Sequence, residues 1–248
     1  MELTVVAILW VTCLTANCLG DSKVSEEISS QPEQVLSAGL NSTGIQFVST
    51  INKGNVTDLW ADLDTWEAPL DMQKNFPYFL SGYDDEDRPI WIVEIGKYQL
   101  RKGIVEKGPE TMAIFDKYVR QVQYRVRKSR TKINPLGKEI NFLLDFDQLK
   151  LEQFADLQTM AYILKLATAY RGPLDNVIHV VVLVNTNYIT ETLINLVRPI
   201  FGRIFAKVEI YGTNRAKWLP RILQYFPKDQ LPEWYGGYKR FQPIEVYG

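Results

Sequence analysis

Three carboxylates lie near the ends of apolar segments, and they are the residues whose type and spacing could support acid–base chemistry. Asp145 and Asp147 stand at the end of the apolar segment 140–146, and Glu94 lies in the β-prone segment 90–95. Two carboxylates across one open cleft can hydrolyse a glycosidic bond. Asp is also a natural capping residue where a strand gives way to a helix, so we interpret Asp145 and Asp147 as structural. A carboxylate-based hydrolase requires that two of the three acids face one open cleft.

The chain lacks the residues that most other catalytic and metal sites need. His179 is the only histidine, and it lies within the apolar segment 177–184, where we expect a core residue and not a base. The only cysteines, Cys13 and Cys18, lie in an N-terminal segment that we expect to be removed. Thiolate catalysis, a Ser–His–Asp triad and a multi-histidine zinc site are therefore excluded. We predict no catalytic residue, no metal site and no cofactor.

The acidic run Asp84–Asp87 also has a structural interpretation. It lacks the alternating ligand spacing and the glycine of a calcium-binding loop, and Arg88 and Pro89 follow it directly. We expect it to form the charged turn of a β-hairpin.

The N-terminus has the pattern of an export signal. Residues 4–16 are mostly apolar, which is too short a run to span a bilayer, and small residues before Asp21 suit cleavage after Gly20. We predict a signal peptide over residues 1–20 and a secreted, extracellular mature chain without thiols. Asn41 and Asn55 begin two sequons in the polar stretch that follows, and they are predicted N-glycosylation sites.

The 248 residues suffice for one α/β domain with a substantial core. Hydrophobic residues make up 46% and charged residues 23%, which is typical of a globular protein. The 28 basic side chains nearly balance the 29 acidic ones, so no overall field draws the protein to nucleic acid, and we exclude such a partner. We expect a polar lead over 21–66, with a shortened helical region at 56–66, and one domain over 67–248.

Hydrophobic periodicity predicts the elements that position these residues. Segment 177–184 is an almost unbroken apolar run, which is typical of a strand covered on both faces. Strands alternating with helices imply an α/β fold with a mainly parallel mixed sheet flanked by helices. Strands are predicted at 79–83, 90–95, 140–146, 177–184 and 207–211, and helices at 109–130, 152–170, 189–201 and 218–225.

Four short motifs occur in order between residues 78 and 238. They are the hairpin Gly82-Tyr83-Asp84 with Arg88-Pro89, the strand Phe142–Phe146, the segment Val184–Thr186 with the helix Leu193–Phe201, and the closing Leu231-Pro232 with Tyr235-Gly236-Gly237. Together they resemble the CRAL-TRIO lipid-binding domain, a family of phosphatidylinositol, tocopherol and retinaldehyde carriers. The chain departs from that family at Gln148, where a glycine is usual.

The resemblance implies the CRAL-TRIO fold, with an apolar cavity that encloses one hydrophobic ligand and is closed by a gate helix. The stripe 189–201 would be the gate, although periodicity alone favours an ordinary core helix. The implied gate residues are Ile189, Leu193, Leu196, Val197, Ile200 and Phe201, and the implied pocket-lining residues are Trp91, Val93, Phe142, Leu144, Met160 and Leu164.

Basic residues are candidates for contact with a lipid head group and with a membrane surface. Lys207 corresponds to a lysine that contacts the head group in phosphoinositide-carrying relatives, but Ile204 and Phe205 stand where those relatives have a hydroxyl. A phosphoinositide ligand is therefore not favoured. The basic run between 117 and 132 fits either a transient contact with anionic lipids or a solvated helix face.

We predict a secreted, monomeric, non-enzymatic protein that encloses, and in one version transfers, one hydrophobic small molecule or phospholipid. Two alternatives are kept. One is an extracellular protein-interaction module whose pocket is collapsed, and the other is the carboxylate-based hydrolase. A cavity of roughly several hundred Å3 would favour the carrier, and a collapsed interior would favour the interaction module.

Overall fold

The computed structural model describes residues 62–133, 137, 139–153, 156–169 and 177–247. The predicted signal peptide, both sequons and most of the polar lead lie outside these residues. Residues 62–66, the described end of the predicted helix 56–66, form a turn in which the Trp66 N–H donates to the Asp62 carbonyl at 2.8 Å. They belong to a separate unit from the domain that follows Trp66.

The domain alternates strands with helices, as the hydrophobic periodicity predicts. Its main elements are α1 (Leu70–Asn75), β1 (Tyr78–Tyr83), β2 (Pro89–Val93), α2 (Pro109–Arg130), β3 (Ile140–Asp145), α3 (Leu157–Ala169), β4 (Ile178–Thr186), α4 (Tyr188–Phe201), β5 (Val208–Gly212), α5 (Arg215–Tyr225) and β6 (Glu245–Tyr247). Short 3-10 helices lie at Ile95–Lys97, Leu151–Gln153, Gly202–Lys207, Lys228–Gln230 and Glu233–Tyr235, and a π-helix lies at Arg101–Val105.

The strands form one sheet in the order β5-β4-β3-β2-β1-β6. Strands β2 to β5 are parallel to one another, whereas β1 runs antiparallel to both β2 and β6. This arrangement confirms the predicted fold class, a mainly parallel mixed sheet flanked by helices. The edge strand β6 has no counterpart in the prediction, because three residues are too short a segment to show a period.

Three consecutive crossovers determine which helices share a face of the sheet. The connections through α2, α3 and α4 each step one strand further in the same direction, and right-handed crossovers then place all three helices on one side. Hydrogen bonds agree with this placement. The Trp91 indole on β2 donates to Ser129 of α2 at 3.1 Å, and Tyr162 of α3 donates to Asp116 of α2 at 2.6 Å.

The two faces of the sheet are both apolar and both covered. Every residue of β3 is buried, which is why its middle, Phe142 to Leu144, is apolar without alternation. The face toward α2, α3 and α4, here called the three-helix face, carries Trp91, Val93, Phe142, Leu144, Val181 and Leu183. The opposite face packs against α5 through Ile90, Ile92, Leu143, Val180, Val182, Val184, Trp218, Ile222 and Phe226.

Capping side chains explain where the structure differs from the predicted helix boundaries. Helix α3 begins at Leu157 and not near residue 152, because the Asp156 carboxylate accepts the Thr159 backbone N–H at 2.9 Å. Helix α5 begins at Arg215, ahead of the predicted 218, because the Asn214 side chain accepts the Ala216 N–H at 3.0 Å. In both cases the cap lies outside the apolar stripe on which the prediction depends.

The acidic run forms the predicted hairpin turn, and Asp84 holds it together. Its carboxylate accepts the Arg88 guanidinium at 2.7 Å, the backbone N–H groups of Glu86 and Arg88, and the Asn141 amide of β3 at 2.8 Å. Arg88 in turn lies 3.1 Å from the His179 ring on β4. Burial acts to raise the pKa of Asp84, but these hydrogen bonds together lower it below its ordinary value. The turn thus joins three strands at the amino edge of the parallel sheet.

We expect Asp84→Asn to reduce the free energy of unfolding by about 1–3 kcal/mol at neutral pH, because charge-assisted hydrogen bonds are lost and the new amide faces other donors. Since folding lowers the pKa of Asp84, its contribution is complete above the ordinary value of 3.8 and is lost as the pH falls through the folded value. Urea unfolding of both proteins across a pH series measures the difference, which should shrink below about pH 4.

The matched control is Asp85→Asn, since Asp85 is an exposed carboxylate of the same turn. It should change stability by less than about 0.5 kcal/mol. An equal loss for both variants, or a loss for Asp84→Asn that persists unchanged in acid, would contradict this role for Asp84.

Candidate functional site

The segment 189–201, which the resemblance implies is a gate, forms helix α4, and this helix begins with a well-formed cap. The Asn187 side chain accepts the Thr190 backbone N–H, and the Thr190 hydroxyl accepts the Asn187 N–H in return. Of the implied gate residues, Ile189 and Phe201 are buried and Ile200 is half-buried. The side chains of Leu193, Leu196 and Val197 lie outside the part of the chain that the structure describes.

The implied pocket-lining residues of β2 and β3 lie side by side. Trp91 is in register with Phe142, and Val93 with Leu144, so the four side chains form one patch of the three-helix face. Each is 0% exposed, so solvent does not reach them in this conformation. Met160 and Leu164, which lie one turn apart on α3, are half-buried.

Lys207 lies at the amino edge of the sheet. Its ammonium group donates to the Ile178 carbonyl at the start of β4, and it is 4.0 Å from the Glu139 carboxylate. These contacts are with the protein's own backbone and side chains. The role of Lys207 at a lipid head group stays a prediction.

The basic run of α2 is partly engaged within the domain. Arg125 donates to the Tyr78 hydroxyl at 2.8 Å and lies 4.0 Å from the centre of the Tyr247 ring, and Lys132 pairs with Glu245 at 2.6 Å. These cations therefore hold the edge strand β6 against the domain.

A cleft with polar and aromatic walls opens at the carboxyl edge of the parallel strands, where α/β sheets commonly bind ligands. Its volume is about 610 Å3, within the range of roughly 300–1,000 Å3 that is usual for ligand sites. We call it the edge cleft, and it is lined by Glu94, Lys97, Asp145, Asp147, Gln148, Asn185, Arg215, Trp218, Trp234 and Tyr235.

Close backbone packing brings two sides of the edge cleft together. A side chain added at Gly96 would place its Cβ 1.8 Å from the Asp147 carbonyl oxygen, so only glycine fits there. The turn after β2, which carries Glu94 and Lys97, therefore packs directly on the end of β3.

Hydrogen bonds occupy the central carboxylate of the edge cleft. One Asp145 oxygen accepts the Asp147 N–H at 2.9 Å and the Asn185 amide at 2.8 Å, and the other accepts the Tyr235 hydroxyl at 2.6 Å. Burial, together with the Asp145 charge, raises the pKa of Tyr235 well above its ordinary range. Asp145 thus ties β3, β4 and the closing segment together, in agreement with its structural interpretation.

All three acids named from the sequence line this one cleft, so the stated condition for a hydrolase is met in placement. Asp145 already accepts three hydrogen bonds, and Glu94 is paired with Lys97 at 2.8 Å. Asp147 is exposed, with Gln148 at 3.3 Å. Among the described residues, no group of three His, Cys, Asp or Glu side chains could hold a metal ion.

Sequence reasoning named the acids but missed the rest of the edge cleft. Arg215 and Trp218 come from the start of α5, and Trp234 and Tyr235 come from the closing motif. The available signal was the position of Glu94, Asp145 and Asn185, each at the carboxyl end of a parallel strand.

The first and last motifs of the domain meet across β1. The Ser81 hydroxyl donates to the Gln230 carbonyl at 2.5 Å, and the Tyr83 N–H donates to the Gln230 side chain at 3.2 Å. Residues nearly 150 positions apart are thereby joined. This contact holds the closing segment against the hairpin.

The fold and these motifs define a class of protein. The family model for the CRAL/TRIO domain matches residues 73–237, which is more than half of the 248 residues, and the chain belongs to this family. Its members are lipid carriers and are generally non-enzymatic.

The chain was also compared with solved structures and with curated proteins. A solved structure titled "Crystal structure of Sfh5" is similar, with 12% sequence identity and a TM-score of 0.47, and the match covers 82% of this chain and 74% of that one. No curated protein matches the chain. Within the described residues, no helix is long and apolar enough to cross a membrane.

Proposed function

We propose that this protein is a secreted carrier that encloses one hydrophobic ligand between the three-helix face of the sheet and helices α3 and α4. The observation that carries the proposal is the three-helix face itself. Two adjacent parallel strands present Trp91, Val93, Phe142 and Leu144 as one uninterrupted apolar patch. Membership of a lipid-carrier family supports the choice of ligand class.

The energetics favour such a ligand. Burying a methylene group contributes about 0.8 kcal/mol, so a sixteen-carbon chain gains roughly 12 kcal/mol before the costs of ordering it. A purely apolar wall provides this without any polar contact. The carrier therefore needs no catalytic or metal-binding group at the lipid site.

Loading requires a wall that moves, because the apolar patch is closed in this conformation. Helix α4 has a candidate hinge directly after Phe201. Gly202 has φ 45° and ψ −119°, a conformation that is essentially restricted to glycine, and its N–H donates to the Arg198 carbonyl. A Cβ at this position would meet no atom within 4 Å, so the restriction is one of backbone strain alone.

The closed patch also favours a second candidate function. If the three-helix face never opens, the domain is an extracellular interaction module with a collapsed pocket. Trp91 supports this alternative, since its ring is stacked 19° from the Tyr247 plane and its N–H is satisfied by Ser129. Ligand occupancy separates the two functions.

We expect purified protein to carry a single hydrophobic molecule, because water is a poor substitute for an acyl chain against this face. Native mass spectrometry should show one discrete added mass that solvent extraction releases. A homogeneous unliganded mass that phosphatidylcholine, cholesterol and tocopherol all leave unchanged would overturn the carrier and support the interaction module.

A matched pair of variants locates the ligand. Leu183 and Val182 are adjacent, fully buried residues of β4 that face opposite sides of the sheet. Leu183→Phe should lower ligand occupancy because it adds bulk to the three-helix face. Val182→Phe adds more bulk to the opposite face and should leave occupancy unchanged, although its overpacking cost, typically about 1–3 kcal/mol, is at least as large.

We expect Gly202→Ala to accelerate transfer of pyrene-labelled phosphatidylcholine between vesicles several-fold, because strain of about 1–3 kcal/mol in the closed state is released when α4 moves. Gly108→Ala is the control. Gly108 also has a positive φ, 95°, with no atom near its Cβ, but it precedes α2. Equal transfer rates for the two variants would exclude Gly202 as the hinge.

Export is tested by the mass of the mature chain. Expressed in a eukaryotic secretory host, the protein should enter the medium with Asp21 as its first residue, because the apolar run is read and removed as a signal peptide. Enzymatic deglycosylation should lower its mass, and Asn41→Gln and Asn55→Gln should each remove one glycan. Retention in the cell with residues 1–20 intact would contradict secretion.

A further inference from the structure

The edge cleft has a mixed lining whose charges nearly cancel. Three carboxylates, Glu94, Asp145 and Asp147, stand with two cations, Lys97 and Arg215. An anion such as phosphate would meet the three carboxylates, and a cation would meet the two basic groups. This balance favours a neutral ligand that both donates and accepts hydrogen bonds.

Aromatic rings form one wall of the edge cleft. Trp234 is 57% exposed, unusually high for so large an apolar side chain, and its ring centre lies 5.9 Å from that of Tyr235. Trp218 follows at 6.4 Å from Tyr235. An exposed indole beside polar groups offers a flat apolar face with hydrogen-bonding partners around it.

An unsatisfied donor lies in the same wall. Trp218 is 3% exposed, and its indole Nε1–H has no hydrogen-bond partner among the described residues. A buried donor without an acceptor costs about 1–3 kcal/mol. Because Nε1 is itself buried, a ligand oxygen in the edge cleft would accept from it only after a small rotation of the indole, and that bond would remove the cost.

The backbone around the edge cleft is also constrained. Gln148 and Asn185 line it with φ values of 66° and 56°, and the described chain has one other non-glycine residue with positive φ, Asp87 in the hairpin turn. Such residues cluster at ligand sites, where surrounding structure imposes the strain. The left-handed conformation also explains why glycine is usual in the family at the position of Gln148.

We propose that the edge cleft binds a neutral polyhydroxylated ligand, a sugar ring, with its apolar face on Trp234 and its hydroxyl groups on the surrounding carboxylates and amides. Each hydroxyl both donates and accepts a hydrogen bond, which matches a lining that contains both kinds of partner. Arg215 already lies 5.8 Å from the Trp218 ring centre, so Trp234 is the ring left for stacking.

The sugar site is independent of the lipid site. Trp218 and Tyr235 pack with Ile90 and Ile92 on the α5 side of the sheet, whereas the proposed lipid lies on the three-helix face. A ligand at one site does not need the other site to be filled, and failure of either proposal leaves the other intact.

Saturation-transfer difference NMR of the purified protein with glucose, N-acetylglucosamine and lactose tests the proposal. At least one sugar should receive saturation. Trp234→Ala should weaken its binding about tenfold, and Trp218→Phe, which replaces the indole with a smaller ring and removes the N–H, about fivefold.

Tyr238→Ala is the control, because Tyr238 is 59% exposed in the same segment but does not line the edge cleft. It should leave binding unchanged. Absence of transfer to all three sugars, transfer that survives Trp234→Ala, or binding of inorganic phosphate in place of the sugars would overturn the proposal.

Discussion

Burial of the central parallel strands on both faces is the constraint on which the rest of this structure depends. β3 and β4 carry apolar side chains on both faces of the sheet, so other elements must cover each face. The three crossover helices cover one face, and α5 with the closing segment covers the other. Polar groups are thereby confined to the ends of the strands.

The polar groups are arranged differently at the two edges of the sheet. At the amino edge, Asp84 joins the hairpin to β3 through Asn141, and its partner Arg88 reaches His179 on β4. At the carboxyl edge, Asp145 gathers β3, β4 and Tyr235, but the polar groups around it open into a cleft. At each edge, one carboxylate thus stabilises the ends of strands whose central residues are apolar.

The same constraint places the two proposed ligands at different parts of the sheet, one on the three-helix face and one at the carboxyl edge. A hydrophobic ligand can only be held where an apolar face has a cover that moves, and α4, which is followed by the glycine-only conformation of Gly202, is the cover that we propose to move. A polar ligand can only be held at a strand edge, where backbone and side-chain hydrogen bonds remain accessible. Membership of the CRAL/TRIO family supports the hydrophobic ligand and says nothing about the polar one.

Local and periodic features were predictable from the sequence, and contacts between distant segments were not. Apolar runs predicted β1 to β5 and α2 to α5, including α2 with its observed bounds Pro109–Arg130, because a period is a property of neighbouring residues. They did not predict the short elements α1 and β6. The acids Glu94, Asp145 and Asp147 were recognised by type. Their meeting in one cleft with Trp234, and the joining of Ser81 to Gln230, depend on the sheet order, which brings segments far apart in the chain together.

The sequence by itself determined the elements and the apolar character of the core, and only the tertiary structure decided which polar side chains share an edge, because that follows from how the crossovers stack the strands.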